Sequence, residues 1–187
     1  MHRIEPYYLW RDIYRSEEDP QAINYGKEYS ELYFTHKIYN YVIHPQWDSF
    51  GSETLFYKQL YTDYEKNFVV IELIGEWNDC INNDVMYLKT ELIEPLMDAG
   101  IKHFVLIMEN VLNFHGSDSE YYQEWEEDIE GDIFMINVLP HVLDELYQME
   151  INNHVIFDGV FNDINWRVQK PEKILKLLKT SLEEEEF

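Results

Sequence analysis

His115 and Asp118 stand together in the segment NFHGSDSE, directly after the apolar run FVLIMENV. A histidine and a carboxylate in one loop can act as general base and orienter, or share a divalent cation. In open α/β sheets ligands seat beyond the carboxyl ends of the strands, where such a loop belongs. Two further segments feed the same rim. Glu76, Asn78 and Asp79 follow the run FVVIELIG, and Asp158, Asn162 and Asp163 follow NHVIF. The candidate set for an acid–base or cation site is therefore Glu76, Asp79, His115 and Asp118, with Asn113 beside them as a ligand-binding amide. The plainer reading of the same residues is a polar loop in which Asp118 caps the next helix.

Other chemistries are thinly represented. HExxH, paired Cys/His zinc spacings, GxSxG, a Walker loop and GxGxxG are all missing, which lowers hydrolase, kinase and dehydrogenase readings and implies no cofactor. Cys80 is the single cysteine, so neither an internal disulfide nor a multi-cysteine metal centre is available. It falls at the start of a predicted helix, where a small buried residue is expected. A third candidate is Trp125, which would anchor a protein partner if exposed on its acidic helix.

Those side chains need a scaffold, and the sequence outlines one. Phe68–Ile74 is nearly continuous apolar sequence, the mark of a strand covered on both faces. Asn78 and Asp79 then offer caps, and Ile81, Val85, Leu88, Leu92 and Leu96 follow helical spacing up to Gly100. His103–Met108 is the next strand, so the unit is βαβ with a right-handed crossover. A helix from about Ser119 carries Tyr122, Trp125 and Ile129 on one side and glutamates on the other. DIFMINV and NHVIFDGVF read as third and fourth core strands, and LPHVLDELYQM and the segment after Pro171 as helices. Upstream, TLFYKQLYTDYEKN reads as the first arm of a hairpin, and YSELYFTHKIYNYVI as one strand or a broken pair. Tyr7 to Trp10 form a short strand or an aromatic clasp. The expected fold is α/β, a mixed sheet of four to six strands with helices packed against it. Residues 1–54 are an aromatic extension on a core of 55–182, followed by the acidic tail 183–187, all in one domain.

The net charge of −23, from 37 acidic against 14 basic residues in a chain of 187, argues against nucleic acid and against anionic membrane surfaces. It suits a soluble protein whose acidic face steers a basic partner or gathers cations. No run nears the length of a membrane span, and the start MHRIEPYYLW has no signal-like apolar core, so the cytoplasm is the expected location. The aromatic extension could also serve as a homodimer surface.

Three local features together resemble the STAS superfamily, named for sulfate transporters and anti-sigma-factor antagonists. They are FVVIELIGEWND with Gly75 in the glycine position, the following helix ending at Gly100, and FVLIMENV with its loop NFHGSDS. The resemblance covers residues 55–182 and implies a non-enzymatic protein acting through protein partners. In antagonists of that family a phosphorylated serine at the helix start controls partner binding. The nearest serines here are Ser117 and Ser119, followed by bulky Tyr121-Tyr122 where the family has a small pair. A phosphate among Asp118, Glu120 and Glu124 would meet like-charge repulsion, partly offset by the helix N-terminus. A related STAS-like group shares its fold with SEC14-type lipid-binding domains, which implies a groove for a small ligand.

Overall fold

The computed structural model describes residues 4–157 and 159–185. Asp158 of the expected rim and the last two residues of the acidic tail lie outside them. At its centre is a four-stranded mixed sheet of β3 (Leu55–Asp63), β4 (Phe68–Asn78), β5 (His103–His115) and β6 (Ile133–Ile136), in that order. β3 runs antiparallel to β4, and β4, β5 and β6 run parallel. The fold is thus α/β with a mixed sheet, at the lower end of the expected strand number. The hairpin between β3 and β4 is closed by Asp63, whose Oδ1 accepts from Lys66 N at 2.9 Å, and by Asn67 at φ +57°. Asparagine tolerates that left-handed conformation better than most residues.

β4 is buried at every position, as its unbroken apolar run implies. Period-two alternation sends Val69, Ile71, Leu73 and Trp77 into one core, with Leu88, Leu92, Phe104 and Trp125. Phe68 and Val70 enter a second core with Trp10, Phe161, Trp166 and Leu178. The charged exception is Glu72, 1% exposed: its Oε2 accepts from Tyr7 N at 2.8 Å and its Oε1 from Asn110 Nδ2 at 3.3 Å. Burial raises its pKa to about 7, against the opposing pull of the Tyr7 N–H.

The segment after β4 departs from the single helix its spacing predicts. It divides into α1 (Asp79–Asn82), α2 (Asp84–Leu88), a π-helical turn (Lys89–Ile93) and α3 (Glu94–Asp98). Asn83, at φ +55°, separates α1 from α2. Pro95 cannot donate to the carbonyl four residues back, which matches the widened turn before it. Val85, Leu88, Leu92 and Leu96 pack on the sheet as spaced. Ile81 does not: the break at Asn83 turns α1 away, and Ile81 is 82% exposed.

α4 (Glu120–Asp128), α5 (Pro140–Gln148) and α6 (Ile174–Glu185) complete the helices. α6 carries the helical backbone into the segment expected as an acidic tail. The expected fourth core strand is corrected. NHVIFDGVF makes a single bridge, Ile156 to Phe134, flanked by 3₁₀ turns at Ile151–Asn153 and Gly159–Asp163. β6 has four residues and ends before Asn137 (φ +56°), and on its outer edge Ile156 accepts from Met135 N and donates to Ile133 O, both at 2.8 Å.

The N-terminal segment packs on β3 and β4. Tyr7, Trp10 and Trp166 meet edge to face with centroids 4.8 to 5.4 Å apart, the expected aromatic clasp. The segment 29–43 is the broken pair, β1 (Lys37–Ile38) against β2 (Tyr41–Val42), with Tyr39 at φ +52° in the turn. Asp48, fully buried, bridges Tyr57 and holds Lys27, Lys58 and the Tyr29 hydroxyl. Among the described residues no helix is long and apolar enough to cross a membrane.

Candidate functional site

The carboxyl ends of β4 and β5 lie side by side, with Glu76 opposite Asn113 and Asn78 opposite His115. The rim expected there exists, but its four chemistry-bearing residues go to three different places. Among the described residues, no group of three or more His, Cys, Asp or Glu is placed to hold a metal ion.

Glu76 and His115 form the first place. His115 is the last residue of β5 rather than part of a loop, because β4 stays extended to Asn78 and supplies it a partner. Its Nε2 lies 3.1 Å from Glu76 Oε1, and its ring is 49% exposed. Glu76 is nearly buried, and its other oxygen accepts from the Tyr39 hydroxyl at the tip of the β1–β2 turn. An oriented imidazole open to solvent is the geometry of a general base. Tyr39 was not foreseen, since nothing local connects residues 37 positions apart. Asn113 stands beside them on β5 with its side chain exposed.

Asp79 is the second place, and its role is structural. It is 4% exposed. Its Oδ1 accepts from Trp77 Nε1 and Val85 N at 2.8 Å, and its Oδ2 from the Tyr122 hydroxyl at 2.8 Å. The carboxylate thereby ties the end of β4 to α2 and α4. Burial nevertheless lifts its pKa to about 6, outweighing the three donors. Asp84 assists from the same turn, its Oδ2 accepting from Asn78 N at 2.7 Å. Tyr122→Phe removes one donor from a buried acid and is expected to cost about 1–2 kcal/mol in urea unfolding, with the fold retained.

Asp118 is the third place. It caps α4, accepting from Glu120 N at 3.1 Å, as the plainer reading of its loop requires. Ser117 is exposed and donates to Asp118 Oδ2 at 3.4 Å. Ser119 is the residue before α4 and makes no side-chain cap. Asn162 accepts from Val138 N at 3.1 Å and donates to Phe157 O at 2.7 Å, bracing a turn, and Asp163 is exposed.

Trp125 is not a partner anchor. It is fully buried, edge to face with Phe104 at 5.4 Å, because it shares the helical stripe of Tyr122 and Ile129. Cys80 is also corrected: it is exposed rather than buried, and its thiol donates to Gly116 O at 2.9 Å.

The cleft on this edge lies between α1 and the start of α4. It has a volume of about 730 Å³ and opens to solvent. Asp79 sits at its base, with Cys80, Ile81 and Asn83 on one wall. The opposite wall presents Asp118, Glu120, Glu124 and Glu127, and no Lys or Arg lines it. Glu124 is engaged with Lys89 at 2.6 Å. Asp118, Glu120 and Glu127 have no Lys or Arg partner among the described residues. Ile81 was signalled by sequence only as a core residue. Its exposure follows from the Asn83 break, which a pattern of apolar spacing does not register.

No family model matches the chain, and a search of curated proteins returned no match.

Proposed function

We propose that this chain is a cytosolic, non-enzymatic, STAS-like interaction protein whose cleft between residues 79–83 and 117–127 takes a basic segment of a partner protein. The observation that carries the reading is the cleft's composition. Three carboxylates without basic partners among the described residues share an open cleft of about 730 Å³ with an exposed isoleucine. A Lys or Arg side chain would find its counter-charge on α4, and an apolar neighbour would lie on Ile81 and half-buried Tyr121. The STAS-like reading is supported by one antiparallel strand followed by parallel strands with helical crossovers, and by Gly75 at the bend of β4. The cytosolic reading is supported by the scarcity of cysteine, a single exposed Cys80 in no disulfide.

The test is binding of a synthetic Lys/Arg-rich peptide to wild type and to the double variant Glu120→Lys/Glu127→Lys. Two reversals are expected to weaken binding about tenfold or more, and wild-type affinity is expected to fall with added salt. Glu183→Lys on α6, which packs on the opposite face of the sheet, is expected to leave affinity unchanged. Equal affinity in the double variant would refute the cleft as the site.

A second reading, a small acid–base enzyme, is favoured by one observation, the Tyr39–Glu76–His115 chain. It predicts that any turnover is abolished by His115→Ala and reduced by Glu76→Gln, with a pH–rate profile that shifts in the latter.

A further inference from the structure

The start of α6 carries the charge opposite to that of the strand-end cleft. Five of the chain's 14 basic residues fall within 167–179, although the net charge is −23. Arg167 is held by Glu109, and Lys179 lies 3.4 Å from Asp132. Lys170, Lys173 and Lys176 are exposed, and among the described residues they pair with no carboxylate, Glu172 included. Lys173 N donates to Lys170 O at 3.0 Å, which closes a 3₁₀ turn and sets these two lysines one turn apart. Lys176 follows three residues on, inside α6, so the three form a row. Val168, 71% exposed, stands at its head.

Taking the cleft as a site for a basic segment, we propose that the segment it binds is residues 168–176 of a second copy of this chain. The two surfaces agree in charge, length and apolar content. Glu120 and Glu127 are seven residues apart on α4, about 10 Å at the helical rise, and Asp118 continues their wall. The lysine row spans six residues, part 3₁₀ and part α-helical, which is also about 10 Å. Val168 supplies the apolar neighbour for Ile81, itself 82% exposed. At physiological salt the screening length is about 8 Å, so the repulsion between two acidic chains is damped while ion pairs in contact persist.

The contact is head to tail. α6 packs on the core of Trp10 and Trp166, and α4 on that of Leu88 and Phe104, on opposite faces of the sheet. The lysine row therefore cannot reach the cleft of its own chain. A copy that gives its row to a neighbour keeps its own cleft open, so the product is a chain of copies rather than a two-fold dimer.

Sedimentation of the full chain at rising concentration and physiological salt tests this. Wild type is expected to exceed the monomer mass of 22.8 kDa, and to return to it when a Lys/Arg-rich peptide is added in excess. Lys170→Gln/Lys173→Gln/Lys176→Gln lacks the row, and Glu120→Gln/Glu127→Gln lacks the cleft charges. Each is expected to self-associate about tenfold or more weakly. Mixed together they are expected to form a one-to-one dimer and nothing larger, since the pair retains one row and one cleft. All five positions are exposed, so both variants keep the fold. A wild type that stays monomeric, association unchanged in either variant, or no dimer in the mixture would overturn the proposal. The reading of the cleft fails separately, as a Lys/Arg-rich peptide that binds wild type no better than Glu120→Gln/Glu127→Gln. A peptide that prefers a monomeric wild type leaves the cleft standing and removes the second copy.

Discussion

Replacing Gly75 with alanine is expected to cost about 3–5 kcal/mol, enough to unfold a marginal domain at room temperature. Gly75 sits inside β4 at φ +124°, and a Cβ there would lie 2.0 Å from the backbone oxygen of Thr54. That oxygen accepts from Glu76 N at 2.9 Å, and the Thr54 hydroxyl donates back to Glu76 O at 2.9 Å. The clash is with backbone, so no rotamer change relieves it, and overpacking adds to the strain of a positive φ. Gly100→Ala is the control. Gly100 also has a positive φ, +93°, but nothing lies within 4 Å of its added Cβ. It is expected to lose about 1 kcal/mol from backbone strain alone. Urea midpoints of the two variants check this, and equal losses would show that the Thr54 contact is not what Gly75 serves.

The second large effect is a fall in stability as pH rises from about 4 to about 7. Glu72 has its pKa raised from 4.5 to about 7, and Asp79 from 3.8 to about 6, burial being the first cause in both. Below their ordinary values both acids are protonated whether the chain is folded or not. Between the ordinary and the raised value the unfolded chain has released protons that the folded chain keeps, so stability falls with rising pH. Above the raised value the folded state carries the full cost, about 3 kcal/mol for each group to order of magnitude. Glu17, Asp63 and Asp132 shift the other way, held low by backbone and side-chain hydrogen bonds and neighbouring cations, and their stabilisation is lost only as pH falls into the acid range. Stability should therefore peak near pH 4. Glu72→Gln keeps an acceptor for Tyr7 N and removes the charge, so it is expected to gain about 2–3 kcal/mol at pH 8 and little at pH 4.5. A variant less stable than wild type at pH 8 would show that the Tyr7 and Asn110 bonds outweigh burial.

The parts of the fold visible in sequence are those decided by local pattern. β4 and the first part of β5 are continuous apolar runs, and Val85, Leu88, Leu92 and Leu96 hold a helical stripe through a π turn. What escaped is decided at a distance or by one residue's backbone. Asn83 falls inside the helix that the spacing from Ile81 to Leu96 predicts, yet its left-handed φ breaks that helix and exposes Ile81. Leu112 to His115 has the composition of a loop, but the extended end of β4 recruits it as strand. Trp125 could have been placed correctly, since its spacing with Tyr122 and Ile129 is that of a buried stripe. The candidate site divides the same way. The rim was legible because the apolar runs of β4 and β5 give way to the polar segments that carry Glu76 to Asp79 and Asn113 to Asp118. The distribution of its residues was not, because Tyr39 reaches Glu76 from the extension and Tyr122 reaches Asp79 from another helix.

The central claim is that binding resides in the cleft between α1 and α4. It is met most directly by titrating ¹⁵N-labelled protein with a short Lys/Arg-rich peptide carrying one leucine, and following amide shifts. The account predicts that perturbations gather at residues 79–83 and 117–127 and largely disappear in Ile81→Asp and in Glu120→Lys/Glu127→Lys. Shifts scattered evenly over the acidic surface, or gathered elsewhere and unchanged in those variants, would contradict it.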